Sequence, residues 1–182
     1  MKSEELIVKM CAPTLAGLKT GSMFSASYRS EAKVKAELRR LNGLFEPKGL
    51  VIMPLRFAEG TALLYVGRMQ ALARDLNEPK AAAMLKKLGY PCGSTEKCLL
   101  HLMRRMRTSR GFPHEVGLFL GYPPEDVLGF IKNKAKNYKA MGAWKVYGDT
   151  AKAQKSFDSF KKCSEETYRR FKSGVGLEQL IG

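Results

Sequence analysis

Helical and alternating patterns of apolar residues trade places along this chain, and the points where they switch outline its elements. Glu4–Met10 reads as a short helix. Pro13 suits the first turn of a second helix, with Cys11 near its N-cap, running to Leu18 and closed by Lys19-Thr20-Gly21. Met23–Tyr28 alternates as a strand does, and Ser30 suits the cap of a helix whose Val34, Leu38 and Leu41 recur at helical spacing up to Gly43. Leu50–Phe57 and Ala62–Val66 flank Ala58-Glu59-Gly60-Thr61, the pattern of an antiparallel hairpin; Pro54 points to an edge strand or a bulge.

Two short helices are predicted next, Met69–Leu76 and Pro79–Leu88, the second opened by proline and closed by Gly89. Ser94 caps a longer helix in which Cys98, Leu99, Leu102, Met103 and Met106 form one stripe and His101, Arg104, Arg105 and Arg107 lie away from it. Glu115–Leu120 reads as a buried strand. Pro124-Glu125-Asp126 opens a helix with an acidic first turn and a core face of Val127, Phe130 and Ile131. Gly142–Tyr147 reads as a last strand, and Asp149 caps a helix marked by Ala153, Phe157, Phe160 and Phe171 that Gly174 stops.

This interleaving, with no repeat, linker or break in composition, predicts an α+β single domain over residues 1–182. The expected architecture is one mixed sheet of about five strands, hairpin included, packed with about seven helices. A composition of 45% hydrophobic and 27% charged residues can build a core, and no apolar run approaches the length that spans a bilayer, so no membrane insertion is expected. The N-terminus lacks the pattern of a secretory signal, which leads to the expectation of a cytoplasmic protein with reduced thiols.

Net charge shifts the picture toward anionic partners. The chain carries +15, and residues 132–182 hold 12 basic and 5 acidic side chains. Tyr138-Lys139, Trp144-Lys145-Val146-Tyr147 and Tyr168-Arg169-Arg170-Phe171 interleave rings with cations, as base-stacking and phosphate-binding surfaces do, although strand alternation also places Trp144 and Val146 in a core and Lys145 and Tyr147 on the other face. No helix-turn-helix, zinc-finger or aromatic RNA-binding signature accompanies them.

Candidate chemistry gathers at two motifs. Cys11, placed near a helix N-terminus, would be held as thiolate by the helix dipole; if folding brings His114 and Glu115 beside it, the three would supply nucleophile, base and orienting carboxylate. The plainer reading makes Cys11 a small buried hydrophobe and His114 a residue bonded to backbone. Thr14, Lys19, Lys145 and Tyr147 are candidate ligand-binding residues, Lys19 either holding an anion or neutralising a helix C-terminus. Gly17–Ser22 lacks the glycine before Lys19 that a phosphate loop needs. Five residues separate Cys92 from Cys98, so no metal site is expected, and no cofactor is named by any motif.

The segments Cys11–Gly21, Phe112–Pro123, Trp144–Gly148 and Lys161–Cys163 together resemble a bacterial domain-of-unknown-function family, number 3793, found mainly in anaerobic Gram-positive bacteria. The resemblance runs end to end and implies a small standalone protein, with no activity to carry over. The family's pattern has a histidine before the first cysteine and further cysteines near the tryptophan and the C-terminus, where this chain has Met10, Ala140 or Ala143, and Arg169. Those departures weaken any metal or redox-cluster reading here. Three functional classes remain: a protein binding or transforming a small anionic ligand at a Cys/His pocket, a noncatalytic basic module binding nucleic acid or an acidic protein through Lys132–Lys172, or a scaffold or oligomerisation protein.

Overall fold

The computed structural model describes residues 3–182. Its elements run α1 (Ser3–Leu15), β1 (Gly21–Ser27), α2 (Glu31–Phe45), β2 (Leu50–Ala58), β3 (Thr61–Arg68), α3 (Met69–Leu76), α4 (Pro79–Lys87), α5 (Thr95–Thr108), α6 (Val116–Phe119), α7 (Pro124–Lys132), β4 (Ala140–Met141), β5 (Lys145–Val146) and α8 (Thr150–Lys172). Short 3-10 turns occupy Glu46–Lys48 and Leu177–Leu180. This is an α+β fold. Its strands do not share one mixed sheet, however: β3 lies between β1 and β2 in a three-stranded antiparallel sheet, and β4 pairs antiparallel with β5 alone.

The three-stranded sheet is the middle layer. Leu64 and Val66 of β3 join a core built with α1, α2 and the residues after α8, whereas Tyr65 joins a second core built by α3 to α7. Alternation along one central strand thus feeds two helical layers. The edge strand β2 shifts register between Pro54 and Arg56, leaving Leu55 bulged and fully buried, so the proline that cannot donate sits where no ladder bond is lost. Asn42 closes part of that edge, donating from Nδ2 to the Ile52 carbonyl (2.9 Å) and accepting the Ile52 N–H (2.8 Å).

Tyr65 fixes α6 against the sheet. Its hydroxyl donates to the Phe119 carbonyl at 2.8 Å, and its ring lies against Gly21 and Gly67, which face each other in the β1–β3 ladder. A Cβ on either glycine would come within 2.6 or 2.5 Å of the Tyr65 oxygen. Ser30, Ser94 and Asp149 cap α2, α5 and α8 as their sequence positions require.

Four expected boundaries are corrected. The two helices placed over Glu4–Met10 and Pro13–Leu18 are one helix, α1, with Pro13 inside it; Gly17, at φ 81°, then turns the chain. Gly43 does not end α2, which continues to the fully buried Phe45. Glu115–Leu120 is not a strand: Val116–Phe119 forms a helical turn buried on every residue, so its uniform apolarity carried no period to distinguish the two. Gly142–Tyr147 is divided, because Gly142 N–H donates to the Trp144 carbonyl (3.0 Å) and closes a turn between β4 and β5.

Candidate functional site

Two cavities meet at a stacked pair of rings, Tyr122 and Trp144, whose centroids are 5.0 Å apart and whose planes make 29°. Tyr122 follows α6 through Gly121, which takes a left-handed φ of 77° and packs its Cα side against Thr20. Trp144 lies in the β4–β5 turn. What holds that turn on α7 is Asp126: its Oδ2 accepts from Trp144 Nε1 (2.7 Å), and its Oδ1 accepts the N–H groups of Tyr147 (2.8 Å) and Gly148 (2.7 Å). A carboxylate with three donors is well satisfied although buried.

On one side of the ring pair is an apolar cavity of about 340 Å³, walled by Phe112, Leu120, Val127, Phe130, Trp144 and Met141 among others. His114 stands exposed at its mouth between Phe112 (5.7 Å) and Phe130 (5.0 Å). Lys145 lines it too. The Lys145 ammonium donates to the Ala135 carbonyl at 2.9 Å and lies over the rings of Tyr138 (4.7 Å) and Phe130 (6.0 Å). One bond is thereby made to protein, and two of its three N–H donors remain.

The Asn133–Lys139 loop beyond Lys145 is wound in an unusual way. Lys134, Ala135 and Asn137 have φ of 49°, 62° and 58°, left-handed values that cost a non-glycine residue about 1 kcal/mol each. Two side chains of the hairpin region brace it: Lys145 at Ala135, and Tyr147, whose hydroxyl donates to the Lys136 carbonyl at 2.9 Å. Tyr147 thus supports the loop and lines neither cavity.

On the other side of the ring pair is a polar cavity of about 420 Å³. Residues from four separate segments line it: Lys19 and Thr20, Asp75 and Glu78, Gly121 to Asp126, and Trp144 with Asp149 and Lys152. Lys19 is half-buried, its ammonium 5.4 Å from the centre of the Tyr122 ring, and burial pushes its pKa down to about 8. Thr20 Oγ1 donates to Asp75 Oδ2 at 2.5 Å, and Glu78 and Asp149 accept the capping N–H groups of α4 and α8.

The expected Cys11, His114 and Glu115 trio is not assembled. Cys11 lies in the interior of α1, not at its N-terminus, and is fully buried in the first core; burial pushes its pKa up to about 12, so it is a thiol at neutral pH. Thr14 is also fully buried and shares a 2.8 Å hydrogen bond with Ser22. Glu115 belongs to the second core, where it accepts from Tyr90 Oη (2.9 Å) and Arg105 Nε (2.5 Å). Tyr90 packs in turn on His101 (4.4 Å) and Phe119 (5.7 Å). Of the sequence candidates, His114 and Lys145 share one cavity and Lys19 lines the adjoining one.

Asp126 and Phe130 are candidate-site residues that the sequence does not single out, and Phe112 and Tyr122 fall in the Phe112–Pro123 segment without a role of their own. Asp126 carries a signal only for a helix start, and the aromatic residues only for a core. Among the described residues no group of three His, Cys, Asp or Glu side chains is placed to hold a metal ion, and no helix is long and apolar enough to cross a membrane. No curated protein and no solved structure matches the chain. A family model described as "Protein of unknown function (DUF3793)" matches residues 7–181.

Proposed function

The chain belongs to the DUF3793 family of proteins of unknown function, and from its geometry we propose that it binds a small amphiphilic anion: a flat apolar body seated in the cavity between α6, α7 and the β4–β5 hairpin, and an anionic group at Lys145. The observation that carries this reading is a lysine anchored at the wall of a largely apolar, aromatic cavity with two donors to spare. The cavity's size lies within the range of small-molecule sites, and a few polar groups converging on an apolar chamber is their usual chemistry.

Competition for Lys145 is weak. Asp126, the carboxylate lining the same cavity, is already bonded by three donors, and residues 129–148 contain five lysines and no carboxylate. The aromatic lining of Phe112, Phe130 and Trp144 favours a planar apolar ligand, for which ring contacts add to area burial. No step of covalent chemistry is part of this reading, since the thiol of Cys11 and the carboxylate of Glu115 are both held in core contacts away from the cavity.

Trp144 is the chain's only tryptophan and lines the cavity, so its fluorescence reports on occupancy directly. Titration with 1-naphthoate should change that fluorescence along a saturable curve, and the uncharged 1-naphthylmethanol should bind about tenfold more weakly, the equivalent of one charge-assisted hydrogen bond. Absence of a saturable response to either compound would overturn the proposal.

A further inference from the structure

The rim of the apolar cavity, where the small-ligand reading uses Phe112, Phe130 and Lys145, continues outward as a longer track of rings and cations. Phe112, His114 and Phe130 succeed one another at 5.7 and 5.0 Å between ring centroids; the Lys145 ammonium then sits between Phe130 and Tyr138. Phe112 and Tyr138 are 45% and 41% exposed, although large apolar rings are usually covered. Next to Tyr138 stands the left-handed loop, where Lys132, Lys134, Lys136 and Lys139 are all exposed. The backbone N–H groups of Asn137 and Tyr138 have no acceptor among the described residues.

We propose that this track, from Phe112 and His114 across Lys145 to Tyr138 and the Lys132–Lys139 loop, binds single-stranded nucleic acid. Rings spaced a few ångströms apart on an open surface offer faces on which unpaired bases stack, and every base has such a face. The lysines and the two unpaired N–H groups supply donors for phosphate oxygens. Charge makes the match specific in class: with five lysines and no carboxylate in residues 129–148, the surface complements a polyanion, and the interleaved rings favour one with exposed bases over a duplex that keeps its bases stacked inside. The track shares Phe112, His114, Phe130 and Lys145 with the cavity, and its loop lysines and Tyr138, which lie outside the cavity wall, are the part that is separable from the cavity's ligand.

The test is fluorescence anisotropy of a fluorescein-labelled twelve-nucleotide oligothymidylate, with the same strand paired to its complement as comparison. The single strand should bind about tenfold more tightly than the duplex, with affinity falling steeply as salt rises. Lys132→Glu combined with Lys136→Glu should weaken binding at least tenfold and flatten the salt dependence, and Tyr138→Leu should weaken it about tenfold through lost stacking. The control pair Lys86→Glu and Lys87→Glu, on exposed α4 positions, should have little effect. Circular dichroism melts of each variant establish that it is folded, and unchanged binding of the uncharged 1-naphthylmethanol by the Lys132→Glu, Lys136→Glu variant keeps this result separate from that of the cavity.

Equal or tighter duplex binding would contradict the proposal, as would the same loss in the α4 control as in the loop variant. So would binding to phosphatidylcholine vesicles containing one quarter phosphatidylglycerol with none to the oligonucleotide, which would reassign the surface to a membrane.

Discussion

The two cavities that share the Tyr122–Trp144 wall have similar volumes and opposite uses of polarity. In the polar cavity most charged groups are spent on the fold: Asp75 holds Thr20, Glu78 and Asp149 cap helices, and Asp126 pins the β4–β5 hairpin to α7. In the apolar cavity almost nothing polar is present, but Lys145 reaches it with donors to spare. A cavity crowded with carboxylates can therefore be structural while a nearly bare one is the better ligand site, because what matters is uncommitted bonding capacity.

Substitutions on the structural side should cost stability. The largest effect is expected at Asp126→Ala, which strands three donors and frees the hairpin; a loss of about 3–5 kcal/mol in urea denaturation is expected, together with a blunted Trp144 response to 1-naphthoate. A loss below about 1 kcal/mol would break the comparison. Glu115→Gln, in the second core, removes the charge that Arg105 and Tyr90 surround, and about 2 kcal/mol should be lost; a neutral result would mean that the pair is dispensable.

Lys19 gives a smaller effect with a distinctive pH signature. Its folded pKa is lowered to about 8 by burial, against an ordinary lysine value of 10.5. Between those values the unfolded chain binds a proton that the folded chain lacks, so stability rises as pH increases from about 8 to 10.5 and is lowest below that window. Lys19→Met should stabilise the protein at pH 7 by about 1 kcal/mol, allowing for the side chain's partial exposure, and should flatten the rise. An identical pH slope in both proteins would show that Lys19 stays solvated.

How much of this is legible in the sequence depends on whether the signal is local. The caps at Ser30, Ser94 and Asp149, the hairpin and the Pro54 bulge rest on contacts a few residues apart, and they stand where expected. Pro13 is ambiguous because a proline in the first turn of a helix and one tolerated inside a longer helix give the same local pattern. The run Val116–Leu120 carries no period, and only the Tyr65 bond to Phe119 and burial on all sides show how it is used.

For the proposed site, type and position make Lys145 a candidate for ligand binding and His114 a candidate base, and both line the apolar cavity. Their partners Phe130 and Tyr122 are not identifiable in this way, since an aromatic residue lining a cavity and one filling a core give the same pattern. The Cys11 thiolate fails for the same reason as Pro13: one misplaced helix start moves the thiol from a dipole's positive end to a helix interior.

Lys145→Met is expected to cost about 1 kcal/mol of stability, no more than the Lys19 substitution changes it, because the packing of its stem over Tyr138 and Phe130 is kept while the Ala135 hydrogen bond and the charge over the rings are lost. The most direct measurement is therefore the affinity of 1-naphthoate and of 1-naphthylmethanol for the wild type and for Lys145→Met, read by Trp144 fluorescence. The account predicts that the carboxylate loses about tenfold in the variant while the alcohol is unaffected. Equal affinity of the carboxylate for both proteins would contradict the claim that Lys145 is the anion-binding group of an apolar ligand site.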